Sequence, residues 1–241
     1  MNISTAEDHT APRWNEPTGL NPRGTLVVIP GRGESADVYR RFAARISADA
    51  YRVVVLKTGV GALSQVQELT ADPWAVAPLV VVGSDSGALQ ALSTATALHK
   101  EVAAVIVAGL PVDEDVSERA WEDEIRLRTG CPTHQGVLRA ASRGAIFSGI
   151  DAIGAADLVP ATPAVPVLAL HGADDEISPL ADAVDAYRNL PTVTITVVDE
   201  GRHDILNDVT HRSVAATVML FLERLRLGPS LPVIVRGSTE Q

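Results

Sequence analysis

Residues 78–92 read PLVVVGSDSGALQAL. Leu79 to Val82 form an unbroken apolar run, rich in β-branched side chains and without polar alternation. That is the pattern of a strand buried on both faces. The run stops at Gly83, and a segment of small residues with helical character begins at Gly87. Glycines two before and two after Asp85 predict a sharp strand-to-helix elbow. The backbone there is strained, the helix packs close, and one side chain is lifted into the cleft above. By spacing the lifted residue is Asp85, while Ser84 and Ser86 point sideways or down and hold the turn together.

The rhythm continues in both directions. TLVVIPG (25–31) is a β-branched run stopped by Pro and Gly, hence a buried strand. SADVYRRFAARIS (35–47) brings Val38, Phe42 and Ile46 round at every fourth residue, which predicts an amphipathic helix. Further strands are predicted over 51–56, 78–83, 102–109, 165–172 and 192–199, and helices over 63–70, 87–99, 179–189 and 208–227. Strand and helix in turn, with strands apolar throughout, specify an α/β fold: a mostly parallel sheet with helices on both faces. One segment breaks the pattern. Residues 110–164 are too long for a plain crossover and mostly helix-forming, with breakers at Gly130, Pro132 and Gly149. An insertion of this kind above the carboxyl edge of a sheet is expected to form a helical lid. The resulting division is a loosely attached lead-in (1–24), a core (25–109 and 165–227), a lid (110–164) and a tail (228–241), either disordered or a short docked strand. There is no internal repeat.

Composition narrows the function classes. With 241 residues, 46% of them hydrophobic, the chain can bury the core of one α/β domain. Thirty acidic against 20 basic residues give a net charge of −10, unfavourable for a protein that works on a phosphate backbone, so no nucleic-acid partner is expected. Cys131 is the one cysteine, which excludes an intrachain disulfide and suits a reducing, cytoplasmic setting. The polar N-terminus lacks the apolar stretch of a signal peptide, and no run approaches the roughly 20 residues needed to cross a bilayer, so no membrane partner is expected. The pattern leaves oligomeric state open and is compatible with a homo-oligomer.

Open α/β sheets bind ligands outside the carboxyl ends of their strands. The third strand delivers Asp85. HGADDEISP (171–179) delivers Asp174 and Asp175 just past a strand, and EGRHDILND (200–208) delivers His203 in a loop before the last helix. Each has a structural alternative, since Asp85, Asp174 and Asp175 could simply cap helices. A capping aspartate, however, needs no glycine on either side. His203, polar and following a buried strand, has no packing role. His171 shapes the turn of its His-Gly pair, and His9, His99 and His211 read as surface residues. Asp174, Asp175, His203 and Asp204 lack metal-ligand spacing, so no metal is expected. The order is nucleophile, acid, histidine, each after a separate strand.

In these residues the chain resembles the α/β-hydrolase superfamily from Thr25 to Leu227. HGADDEISP is similar to the superfamily's acid motif, with Asp175 in the acid position. EGRHDILND is similar to the histidine loop of its lysophospholipase and monoacylglycerol lipase branch, and IPGRGESADVY (29–39) resembles that branch's oxyanion loop. The resemblance implies a hydrolase with no cofactor, acting on a small molecule. It implies a catalytic trio of Asp85, Asp175 and His203, and oxyanion donors on the backbone of Arg32 and Ser86. The chain departs from the pattern at Pro30, where the branch has histidine, over KTGVGALS (57–64), and at Asp85, where it has serine. Too few residues precede Thr25 for a full first hairpin, so the sheet is expected to be shortened at that edge.

An elbow carboxylate is ionised near neutral pH and needs no base to activate it. Its natural electrophile is an sp³ carbon bearing a leaving group, as in epoxides and haloalkanes. Attack gives an alkyl-enzyme ester, which water cleaves with His203 as base. Attack on a carboxylic ester would give an anhydride instead. Relatives with this chemistry carry Trp after the nucleophile, where this chain has Ser86, and tyrosines in the lid, where 110–164 has none. Substrate contacts are expected from Gly31 and from Trp121, Cys131 and His134 of the lid, with Thr129, Thr133, Arg126 and Arg128 nearby. Two carboxylates on one imidazole are expected to raise its pKa, and their repulsion to raise at least one carboxyl. Two alternatives stand beside this reading: a carboxylesterase or lysophospholipase-like enzyme using Ser84 or Ser86, or Asp85 as base for direct attack by water, and a degenerate hydrolase that only binds a ligand.

Overall fold

The apolar runs become strands and the segments between them become helices. The computed structural model describes residues 11–57, 61–112, 120–140 and 159–236. In chain order the elements are β1 (Arg13–Trp14), β2 (Thr25–Ile29), a 3-10 helix (Ala36–Tyr39), α1 (Arg40–Ala48), β3 (Arg52–Val55) and α2 (Ala62–Thr70). They continue with β4 (Leu79–Ser84), α3 (Ser86–Ala97), β5 (Val102–Ala108), α4 (Trp121–Arg128) and α5 (Pro132–Ala140). The last are β6 (Val167–Gly172), α6 (Leu180–Arg188), β7 (Val193–Val198) and α7 (His211–Leu227).

Among the described residues the strands form one seven-stranded sheet in the order β1-β3-β2-β4-β5-β6-β7. Every pairing is parallel except β1 with β3. The central strands are buried along their whole length, because helices cover both faces. Successive side chains of a strand point to opposite faces, so β4 feeds two cores. Val80 and Val82 pack with Phe42 and Ile46 of α1 and Val218, Phe221 and Leu222 of α7. Leu79 and Val81 pack with Val66 of α2, Leu89 and Leu92 of α3 and Tyr187 of α6. In α7 the buried positions Val214, Val218, Phe221, Leu222 and Leu225 trace one helical stripe.

Two expectations at the chain ends need correction. From Ala11 the lead-in is fixed, not loose. Arg13 and Trp14 pair antiparallel with Val54 and Val53, Arg13 bonds Asp72 at 2.5 Å, and Glu16 grips Arg52 through two bonds of 2.7 Å. The sheet edge is therefore shortened to two residues but still occupied. Up to Arg236 the tail adds no strand. Leu231 is buried against the α7 side, and Arg224 donates to its carbonyl and to that of Pro232. The segment expected as a lid contributes α4 and α5; residues 113–119 and 141–158 lie outside the described part. Among the described residues no helix is long and apolar enough to cross a membrane.

Candidate active site

Asp85 occupies the bend between β4 and α3 with φ 51° and ψ −128°. Holding a non-glycine residue there costs on the order of 1–3 kcal/mol, and the surroundings enforce it. The Asp85 N–H donates to the Ala108 carbonyl of β5 at 3.0 Å, and its own carbonyl accepts from Ala88 at 2.8 Å. A Cβ on Gly83 would strike the Gly87 carbonyl, and one on Gly87 would strike the carbonyls of Ile29 and Pro30. Glycine at both positions lets α3 cross directly over the strand ends. The Asp85 side chain caps nothing, although it stands at the N-cap position of α3. The capping alternative therefore does not describe its carboxylate.

That carboxylate faces His203. His203 Nε2 lies 3.4 Å from Asp85 Oδ1, and His203 Nδ1–H donates to Asp175 Oδ2 at 2.9 Å. Asp175 is fixed in turn, its Oδ1 accepting the N–H groups of Ile177 and Ser178 at 2.9 Å. It thus braces its own loop and orients the histidine. Asp174, the neighbouring candidate, is exposed. His171 lies behind Asp175. Its Nε2 must donate, because the Ser178 carbonyl at 2.7 Å can only accept, and its Nδ1 therefore accepts from the Tyr187 hydroxyl at 3.0 Å.

The electrostatics follow from burial and pairing. Burial alone would neutralise Asp85, but the Arg32 guanidinium, the His203 contact and the Arg128 charge hold its carboxyl well below the ordinary carboxylate range. Burial likewise works against Asp175, yet His203 lowers it overall. Burial also opposes a charge on His203, but Asp175 and Asp85 outweigh it and push the imidazole up to about 10. The raised imidazole matches expectation. Both members of the pair are lowered and neither is raised, because the imidazolium stands between them and Arg32 and Arg128 flank Asp85. The buried carboxyl that does rise is Glu34, raised by its own burial and by Asp204.

Arg32 and Arg128 supply this positive charge. The Arg32 N–H donates to Asp85 Oδ2 at 3.0 Å, and its Nε reaches both carboxylate oxygens at 2.9 and 2.7 Å. The residue expected to offer a backbone donor thus also closes over the carboxylate. Ser86, the other expected donor, opens α3, and Ser84 lies against Tyr39. Arg128, fully buried at the end of α4, pairs with Glu124 at 3.0 Å and Asp204 at 3.3 Å, and its Nη2 lies 3.6 Å from Asp85 Oδ2. The Asp204 N–H donates back to the Arg128 carbonyl at 2.8 Å, tying α4 to the His203 loop. Asp208 completes that tie by accepting from Thr129 and Gly130 on one oxygen and from Arg202 N–H on the other.

The expected substrate contacts fare unevenly. A Cβ on Gly31 would meet Asp85 Cβ at 2.9 Å, so Gly31 does border the site. Trp121 instead packs with Ile125 and Leu138 in a small separate cluster. Cys131 is buried with its Sγ 3.5 Å from Arg41 on α1. His134 bonds Asp204 at 2.7 Å and reaches the trio only through it. Glu34, His134 and Asp204 could converge on a metal, their ligand atoms lying within 4.8 Å of one another. Arg128 already serves Asp204 as its cation, and Tyr39 and the Gly31 N–H both occupy one oxygen of Glu34, whose Oε1 is buried without a partner. In the sequence Glu34 does not stand out, Asp204 enters only as a rejected metal ligand, and Arg128 only as a neighbour of the expected substrate contacts. The available signals were the Glu124/Arg128 spacing of four and the acid directly after His203.

No protein-family model matches the chain, and no curated protein matches it by sequence. Solved structures do match. A soluble variant of monoglyceride lipase from Saccharomyces cerevisiae is 15% identical with a TM-score of 0.70, covering 88% of this chain and 90% of that one. The monoacylglycerol lipase of Paleococcus ferrophilus is 14% identical with a TM-score of 0.60, over 87% and 98%. A serine hydrolase involved in carbazole degradation is 14% identical with a TM-score of 0.63, over 86% and 92%. The chain has the α/β-hydrolase fold.

Proposed function

We propose that this chain is a cofactor-independent hydrolase with an aspartate nucleophile. Asp85 attacks, His203 activates water and Asp175 orients the imidazole, while the segment bearing α4 and α5 serves as the lid. The observation that carries this reading is the line Asp175–His203–Asp85, 2.9 Å on one side of the ring and 3.4 Å on the other, with the last member at a strained strand-to-helix bend. The substrate is a small, rather apolar molecule with a leaving group on an sp³ carbon, an epoxide or haloalkane. The setting is cytoplasmic.

The charge state of the resting site fits a two-step route. Asp85 is ionised and ready to attack, whereas His203 still carries its proton. Forming the ester removes the Asp85 charge, one of the two charges that keep the ring protonated. The imidazole therefore becomes a base only when a base is needed. The tetrahedral intermediate of the second step meets the N–H groups of Arg32 and Ser86. A serine esterase is less well supported, because the histidine faces a carboxylate and not a hydroxyl. A second reading, a hydrolase fold that only binds ligand, draws on the Arg32 guanidinium lying over both oxygens of Asp85.

Turnover of an epoxide and haloalkane panel in heavy-oxygen water tests the proposal, with mass analysis of the Asp85 peptide. Label in Asp85 after several turnovers is the expected result. Product formed with Asp85 unlabelled, or an adduct on Ser84 or Ser86, rejects the ester route. If no panel member is turned over, while Asp85→Asn and His203→Ala leave ligand binding intact, the binding reading replaces it.

A further inference from the structure

Two buried donors at the centre of the site have no hydrogen-bond partner: Arg128 Nη2 and His203 Nε2. Leaving such a group unsatisfied in a protein interior costs about 1–3 kcal/mol each, and more where it is charged. Neither has strayed into a random gap. They flank the same carboxylate, Arg128 Nη2 at 3.6 Å from Oδ2 and His203 Nε2 at 3.4 Å from Oδ1, too far for good bonds to it. Every other polar atom of the two side chains is engaged, by Glu124, Asp204 and Asp175. The unfilled bonding capacity therefore points at whatever approaches Asp85.

Resting on the nucleophile reading above, we infer that Arg128 Nη2 and His203 Nε2 receive the departing oxygen of an epoxide, Arg128 holding it and His203 protonating it. An Asp85 oxygen forms a bond to the epoxide carbon. The carbon–oxygen bond of the ring breaks, and its electron pair goes to the oxygen. That oxygen takes the Nε2 proton, leaving a hydroxyalkyl ester and a neutral His203. In the second step His203 takes a proton from water, and the resulting hydroxide adds to the Asp85 carboxyl carbon. Collapse releases the diol, with the alcohol oxygen protonated, and returns Asp85 as carboxylate and His203 as imidazolium. The cycle restores the resting proton count, with no lid tyrosine.

A haloalkane fits less well. A departing halide takes no proton, so His203 would first have to lose its own to solvent before it could activate water. The groups facing the ring are Asp85 from the elbow and Asp175 from the loop after β6, with Arg128 from α4 and Asp204 beside it. Both faces of the ring are acidic, which keeps the acid form loaded before attack.

The test compares 1,2-epoxyhexane with 1-bromohexane, following the Asp85 adduct by mass spectrometry in wild type, His203→Gln and Arg128→Met. Wild type should turn over the epoxide repeatedly. His203→Gln should accumulate the ester from the bromide but form it from the epoxide about 100-fold more slowly than wild type. Arg128→Met should slow epoxide alkylation about 100-fold and bromide alkylation less than tenfold. Arg128→Lys keeps the buried charge should the Met variant not fold, and should lose the same selectivity. Epoxide adduct forming in His203→Gln at the wild-type rate, or equal slowing for both probes without Arg128, overturns this inference and leaves the nucleophile intact. No Asp85 adduct from either probe in any variant overturns both.

Discussion

Asp85 stands at the strained strand-to-helix bend, and its charge holds its neighbours in place. Asp85→Asn keeps the shape and removes the charge. His203 should then titrate well below its value of about 10, nearer the ordinary 6.5, in an NMR titration of the ring. An unchanged titration would mean that Asp175 alone charges the ring. The same substitution leaves Arg32 and Arg128 facing a neutral group, and stripping one partner from a buried ionic cluster costs about 3–5 kcal/mol. Urea unfolding should register that loss. The trio was legible in the sequence because each member follows an apolar run at a sheet edge where side chains have no packing role. Arg128 was not legible. Paired with Glu124 at a spacing of four, it reads as an ordinary surface pair, and only the docking of α4 on the His203 loop buries it.

Among the elements, the α4–α5 pair is tied to the His203 loop by polar contacts, and Asp208 carries two of them while it also accepts from Arg202 N–H of its own loop. Asp208→Ala strands the donors of Thr129, Gly130 and Arg202, a loss of about 1–3 kcal/mol. It should raise amide exchange at residues 129–131 well before the sheet is affected, and uniform protection would contradict this account. α7 depends instead on its apolar stripe. Phe221, nearly fully buried, should cost about 3–5 kcal/mol as Phe221→Ala in denaturant unfolding, with the sheet register unchanged. Such stripes and runs made the helices and strands readable, with ends shifted by up to three residues apart from the 3-10 turn ahead of α1. The 3-10 turn ahead of α1 escaped because Val38 keeps the helical spacing while the hydrogen bonds tighten to three residues. Trp121 and Cys131 pack away from Asp85, which was not legible because periodicity gives an element's faces but not which neighbour each face meets.

For the whole molecule, the buried charges set an optimum of stability. Asp85, Asp175 and Asp204 are lowered in the folded state, so their contribution is present above the unfolded value of about 4 and is lost as the pH falls below it. His203 is raised, so its contribution is complete below about 6.5 and lost as the pH rises through about 10. Glu34, also raised, contributes fully only below about 4.5 and loses that contribution as the pH rises from there. Thermal unfolding across pH should therefore show its maximum between about 4 and 7, and a maximum above 9 would refute the assignment of a charged His203. The two-residue strand β1 has a consequence of a different kind. Among the described residues, Pro12, Arg13 and Trp14 screen the outer amides of β3, a run of valines flanked by a parallel neighbour. A chain cut after Glu16 would present that rim as a template for another copy. Loss of those few residues should turn a well-behaved protein into one that self-associates in light scattering, with the Asp175–His203–Asp85 cluster untouched.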